Sequence, residues 1–223
     1  MKTSVKNAFY PPFGGLNAFF TAVNKIIDTI FLSILWIIFC IPLFTIGAST
    51  SALYATANKV LRHDRSYIFR QFWDSFKSSF KQSTIAWLFC VLVIFVLVSD
   101  IRIINLLIPN IIGVFLKVFF SVMIFVIGMT MLYIFPYISR FSAPWKSIMM
   151  NSFIISLRHI PWTLLVVVLT IAFALLAYLI PFLALVLPAL WALLASFVLE
   201  RIFKKYMSEE DLAKEEKLNS RSY

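Results

Sequence analysis

Two histidines, two cysteines and ten carboxylates are what this 223-residue chain offers for holding a metal or moving a proton. They are not grouped to do either. His63 and His159 lie far apart, each among basic residues and with no carboxylate cluster beside it, whereas metal sites and proton relays need such groups to converge. Cys40 and Cys90 each sit in an apolar run. They read as small membrane residues, too few for a disulfide framework. No GxSxG, Walker A, HExxH or CxxC motif occurs, so nucleophilic, phosphate-cradling and zinc chemistry lack their usual scaffolds. The expectation is no catalytic residue, no cofactor, no metal and no enzymatic activity.

Other polar residues stand out because their surroundings are apolar. Asp28 lies about two turns into the first apolar segment, three residues after Lys25. An ionisable group at membrane depth is costly and so a functional candidate. The alternative is a boundary ion pair with a snorkelling Lys25. Thr45, Ser49, Thr50, Ser51 and Tyr54 crowd one uncharged stretch. Such hydroxyls either satisfy carbonyls and cross-link helices or line a polar cavity for a hydroxylated ligand. Asp28, Thr45, Ser49, Thr50 and Tyr54 are thus the candidate polar interior. Glu200, beside Arg201 and four residues before Lys204, reads as an interfacial ion pair.

The most specific local pattern is residues 66–82. Phe69, Phe72, Trp73, Phe76 and Phe80 recur at helical spacing, with Arg70, Asp74, Lys77 and Lys81 on the other face and Ser66 as an N-cap. A basic helix with an aromatic face anchors in a membrane interface. It equally serves as a coupling helix for a cytoplasmic partner. Phe69, Phe72, Trp73, Phe76, Lys77, Phe80 and Lys81 are the candidate membrane- or partner-docking face. Trp145, Met149 and Phe153 repeat the pattern more weakly after Ser142 and Pro144. The tail 208–223 opens on Ser208 and Asp211, which resemble a capping box.

Hydrophobic residues make up 61% of the chain and charged residues 13%, with mean hydropathy +0.92. Soluble domains run at about 45–50% and about 25%, so the solvent for most of this surface must be lipid. That excludes a soluble enzyme, a disordered tail and a secreted disulfide scaffold. Net charge is +10, and cytoplasmic loops of membrane proteins collect Lys and Arg, so nucleic acid is not the expected partner. The N-terminal residues carry Pro11, Pro12, Gly14 and Gly15, which read as a loop and not as a cleavable signal.

The fold class is all-α: a polytopic transmembrane bundle of six helices in three hairpins, with an interfacial amphipathic helix. The helices are expected over 17–41, 43–61, 83–105, 110–139, 161–180 and 182–205, inside one membrane domain, 1–207. Ile41-Pro42, Ile108-Pro109 and Ile180-Pro181 fall at the turns on one side; Ile160-Pro161 opens the fifth helix. Six crossings with both termini cytoplasmic place 18 of the 20 Lys and Arg on one side, as the positive-inside rule prefers. A five-helix alternative, omitting 43–61, splits them 15 to 4 with Lys117 left over. The small residues of the second helix pack within one chain or between chains, so a homo-oligomer stays open. Ser51-Ala52-Leu53-Tyr54 and Asp74-Ser75-Phe76 echo in Thr130-Met131-Leu132-Tyr133 and Asn151-Ser152-Phe153. That is the pattern of a parallel internal repeat.

Leu35-Trp36 through Pro42, Thr45-Ile46-Gly47-Ala48-Ser49-Thr50, Ala52-Leu53-Tyr54, Lys59 and Arg62 form an ordered series. With Phe72-Trp73, Phe76-Lys77, Phe80-Lys81-Gln82 and Trp87, it resembles the YesL-like family of bacterial integral membrane proteins over about residues 16–90. Beyond Cys90 the likeness rests on hydropathy. The resemblance implies a multi-pass cytoplasmic-membrane protein, mainly of Gram-positive bacteria. Its relatives are often encoded beside sugar ABC-transport components and polysaccharide-degrading enzymes. It assigns no reaction and no catalytic residue. The partners it implies, besides the lipid bilayer, are a sugar ABC permease or a membrane sensor. An accessory role in carbohydrate uptake or its regulation is the leading expectation, and a stand-alone transporter or channel is the alternative.

Overall fold

The computed structural model describes residues 14–61, 67–108, 110–141 and 143–207, with side chains from residue 23 onward. Ser66, His63, Arg62, Ser142 and the tail 208–223 lie outside the described residues. Every element described is helical. In chain order these are α1 (Gly14–Cys40), a 3-10 turn (Leu43–Thr45), α2 (Ile46–Thr56) and a π-helical turn (Ala57–Leu61). There follow α3 (Ile68–Leu107), α4 (Ile111–Arg140), α5 (Trp145–Arg158), α6 (Ile160–Leu179), a 3-10 turn (Pro181–Leu185), α7 (Leu187–Phe203) and a last 3-10 turn (Lys204–Tyr206). Four of these, α1 from Val23, α3, α4 and α6, are long and apolar enough to cross a membrane. The outer faces agree: Leu92, Phe95, Phe115, Val168 and Ile171 are exposed, a surface that suits hydrocarbon and not water.

The prolines punctuate the chain as their chemistry dictates. Pro42 caps the 3-10 turn that separates α1 from α2, Pro181 opens the turn after α6, and Pro161 occupies the first turn of α6, where its missing N–H costs nothing. Pro136 stays inside α4. Beside it, the carbonyl of Phe135 accepts from Ser51 Oγ of α2 at 2.8 Å, so a polar group in an irregular stretch of helix gains a second partner.

The centre of the fold is α2. From Gly47 to Thr56 every residue except Thr50 is buried. Its alanines and serines let α1, α3, α4 and α7 approach its backbone, because no long side chain holds them off. Two apolar clusters meet around it. One joins α1, α2 and the first part of α3 through Leu32, Leu35, Leu53, Phe72 and Phe76. The other joins α3, α4, α5 and α7 through Cys90, Tyr133, Ile148, Leu199 and Phe203.

One expectation is corrected. The amphipathic segment expected over 66–82, described from Ile68 onward within the helix, and the spanning segment 83–105 are not two separate helices. They are one helix, α3, of 40 residues. At 1.5 Å per residue it is about 60 Å long, roughly twice the hydrocarbon thickness, so its polar first part extends beyond the apolar layer. No Gly or Pro lies between Phe76 and Cys90 to break it. The corresponding junction between α5 and α6 does break, at His159, immediately before Ile160-Pro161.

At Gly47 the neighbouring helices α3 and α4 crowd the backbone of α2. A Cβ there would stand 2.5 Å from the carbonyl oxygen of Ser83, 2.8 Å from Trp87 Cβ and 2.9 Å from a ring carbon of Phe135. Gly128 has open space at the same position. Gly47→Ala is therefore expected to destabilise the protein by about 1–3 kcal/mol through overpacking, while Gly128→Ala leaves stability unchanged or slightly raised. Thermal unfolding of both variants in one detergent checks this.

Candidate functional site

A buried carboxylate stands at the meeting point of several helices. The Glu200 side chain, on α7, is 2% exposed. Its Oε2 lies 3.0 Å from Arg140 Nη2 at the end of α4. Its Oε1 accepts from Asn58 Nδ2 at 2.9 Å and from Tyr54 OH at 3.2 Å. Three elements thus converge on one carboxylate: α2 with its π turn, α4 and α7. The π turn widens the helix by one residue and carries Asn58, and such turns recur at functional sites. A lone carboxylate at this depth would be costly; a guanidinium and two neutral donors answer it. The cluster is equipped to clamp helices and to hold a charge pair apart from solvent. It offers no nucleophile, and no group of three or more His, Cys, Asp or Glu able to hold a metal occurs among the described residues.

This corrects the reading of Glu200 as an interfacial partner of Arg201 and Lys204. Those two side chains are exposed, and the partner of Glu200 is Arg140. The signal was present in the sequence. Ala189, Ala192, Ser196, Leu199 and Phe203 are the buried line of α7, spaced by three and four, and Glu200 falls on that line.

The hydroxyl stretch is spent internally. Thr45 Oγ1 donates to the carbonyls of Phe39 and Pro42, each at 2.6 Å, and Ser49 Oγ donates to Phe39 at 2.8 Å. The Phe39 carbonyl is one that the end of α1 leaves without a helical partner, while that of Pro42 also accepts from the Thr45 backbone N–H. Thr50 Oγ1 donates to Ile46 at 2.8 Å and accepts from Trp36 Nε1 at 3.4 Å. Ser83 Oγ of α3 donates to Ser51 Oγ at 3.0 Å. Of the five interior candidates, Tyr54 donates to Glu200. Asp28 is half-buried on α1.

A second hydroxyl network ties α4, α5 and α6. Tyr133 OH and Thr163 Oγ1 lie 2.8 Å apart, and Thr163 Oγ1 also donates to the carbonyl of Ser156 at 2.8 Å. Tyr54 and Tyr133, the equivalent positions of the sequence echo, are both fully buried and both hydrogen-bonded through their hydroxyls.

The aromatic face of α3 divides. Phe72 is fully buried and Phe76 nearly so, and Phe39 of α1 packs on both, with ring centroids at 5.4 and 5.0 Å. Trp73 is half-buried, its ring 5.7 Å from Phe39 and beneath Lys77 Nζ at 4.8 Å. Phe69, Lys77, Phe80 and Lys81 are exposed. The face expected to dock is therefore in part a core face. The buried line runs Ile68, Phe72, Phe76, Ser79, Ser83, and Phe69 and Phe80 flank it.

Breaking one side of the buried pair is expected to cost far more than replacing both. Arg140→Met takes the guanidinium away from the buried Glu200 carboxylate and should cost about 3–5 kcal/mol, whereas Arg140→Met with Glu200→Leu should recover most of that loss. A double-mutant cycle by thermal unfolding measures it. A pH effect is expected at His159. Burial first, and then the charges of Lys205 and Arg158, hold its imidazole below the ordinary 6.5. The folded chain then takes up this proton less readily than the unfolded chain. Its contribution is intact above that ordinary value and is lost as pH falls below it. His159→Gln should make the drop in stability between about pH 7.5 and about pH 5 shallower than in the wild type.

No curated protein and no solved structure matches the chain. Residues 29–101, from Thr29 in α1 through α2 and into α3, match the family model described as "Protein of unknown function, DUF624". The matched segment lies mainly within the stretch that resembles the YesL-like family, includes Tyr54 and Asn58, and stops before Arg140 and Glu200.

Proposed function

We propose that this multi-pass membrane protein is an accessory component of carbohydrate uptake or its regulation, and that it works by docking on another protein of the cytoplasmic membrane. The observation that carries this reading is the division of its polar groups. Most of those in the interior answer one another: Thr45 and Ser49 the end of α1, Ser51 the carbonyl beside Pro136, and Tyr54, Asn58 and Arg140 the Glu200 carboxylate; the buried hydroxyls of Thr56, Thr84 and Ser152 have no hydrogen-bond partner among the described residues. A carrier of hydrophilic solutes gathers unanswered polar groups around its cargo, whereas these three stand on three different helices, α2, α3 and α5. The protruding part of α3 instead presents the outward charges Arg70, Asp74, Lys77 and Lys81 beside the exposed rings of Phe69 and Phe80. Carbohydrate uptake as the setting is supported by the resemblance to the YesL-like family and by what its relatives are encoded beside.

In this reading the chain crosses the membrane six times, through α1, α2 with its π turn, α3, α4, α6 and α7, and both termini are cytoplasmic. The side holding 18 of the 20 Lys and Arg then faces the cytoplasm, as the positive-inside rule favours. α5, with Lys146 and Arg158 among exposed Met150, Phe153 and Ile154, lies in the interface as an amphipathic helix does.

Photocrosslinking residues at positions 69 and 80, in native membranes, test the docking. The expected product is a crosslink to a sugar permease or a membrane sensor, lost when Lys77 and Lys81 are changed to Glu. Crosslinks to lipid alone would overturn it. Phe72→Ala serves as the contrast. It should cost about 3–5 kcal/mol of stability as a core truncation, whereas Phe69→Ala should leave the fold intact.

A further inference from the structure

Between α1, α2, α3, α4, α6 and α7 lies a cavity of about 420 Å³. Three indoles, Trp36, Trp87 and Trp191, stand in its wall together with Met131, Phe135 and Phe173. No charged side chain lines it. Its two hydroxyls are committed. Thr50 is held as described above, and Thr170 Oγ1 donates to the carbonyl of Val166 at 2.7 Å and accepts from Trp191 Nε1 at 3.0 Å. Water entering this space would not find the two to four partners that hold a buried water. A sugar would surrender its hydration without replacement.

The volume is far above the voids of a close-packed interior and falls within the roughly 300–1,000 Å³ of ligand pockets. One wall is incomplete. α6 is buried only at Thr163 and Val166, and Ala174, which lines the cavity, is exposed. The cavity therefore opens sideways, toward the medium that bathes Val168, Ile171, Leu175 and Tyr178. In a bilayer that medium is hydrocarbon. Filling the space gains dispersion contacts on every side that an empty cavity forfeits, and the two indoles fixed by threonines present rigid apolar planes to the occupant.

We propose that this cavity is a binding site for one hydrocarbon chain, the acyl chain of a membrane phospholipid, which enters laterally past Ala174 and Ala177 of α6. It is a site separate from the docking surface on α3, and it stands or falls independently of that reading.

The test uses the full chain in vesicles of phosphatidylethanolamine and phosphatidylglycerol that contain a minor fraction of phospholipid with a mid-chain diazirine. After photolysis, adducts are mapped by mass spectrometry. Adducts on Met131, Leu132 or Trp191 are expected beside those on outward-facing Phe115 and Ile171. Ala177→Phe should lower the wall adducts about tenfold and leave the outward ones unchanged. If that variant does not elute as the folded protein, Leu132→Trp narrows the cavity from the opposite wall and carries the same expectation. Adducts confined to outward-facing residues in the wild type would overturn the proposal. So would wall labelling by a diazirine-bearing isoprenoid alcohol with none from the phospholipid, since the occupant would then be an isoprenoid. Wall adducts that persist at full level in both narrowed variants would also overturn it.

Discussion

Hydrocarbon donates and accepts no hydrogen bonds, so a polar group that this chain carries to membrane depth is costly unless another part of the chain answers it. Where α1 stops at Ile41-Pro42, the Phe39 carbonyl is left over, and Thr45 and Ser49 meet it a few residues later. That local repair lets the chain reverse and brings α2 back through the centre. Because α2 is made of Gly, Ala, Ser and Thr with few large residues, its neighbours settle close to its backbone. Gly47 against Ser83 and Trp87 is a tight point of that arrangement. Small side chains and internal hydroxyl bonds are thus two aspects of one solution: helices that approach closely can also reach one another's backbone.

The Arg140–Glu200 pair obeys the same constraint at higher stakes. Two charges taken from water lose several kcal/mol of solvation each, and their attraction offsets this only with good geometry and extra donors. Asn58 and Tyr54 supply those donors. Such a pair is a weak source of stability and a strong source of specificity, since any arrangement that separates α4 from α7 strands a charge. The sheltered pair registers three elements against one another where apolar surfaces alone would tolerate sliding.

Much of this was legible in the sequence. The apolar runs, the Ile-Pro breaks and the charge distribution predict the helices, because bilayer thickness and proline chemistry act locally on the chain. α2 was legible less by hydropathy than by its lack of charge and its small residues. The continuity of α3 was hidden because the change from an amphipathic to an apolar pattern looks like a boundary. Yet Lys81-Gln82-Ser83-Thr84 contains nothing that breaks a helix. Glu200 was obscured by nearer basic residues, and Arg140 stands 60 positions away, a pairing that only the fold makes. The burial of Phe72 and Phe76 followed from Phe39, which periodicity within α3 could not reveal. The cavity was not legible at all, because it is defined by where α6 stands away from its neighbours.

The unbroken course of α3 has a mechanical consequence. A helix hydrogen-bonded along its whole length resists torsion, so its two ends cannot rotate independently. The same rod carries Lys77 and Lys81 at its protruding part and Ser83, Trp87 and Cys90 deep in the packing. A twist imposed outside the bilayer would therefore be felt as a change of register at Ser51 and Gly47, with little loss over the distance. The interrupted pair α5 and α6 lacks that continuity: its two halves change direction at His159 and are tied across the break by Thr163 and the carbonyl of Ser156. The protein thus combines one shaft and one tied corner on the same side of its bundle.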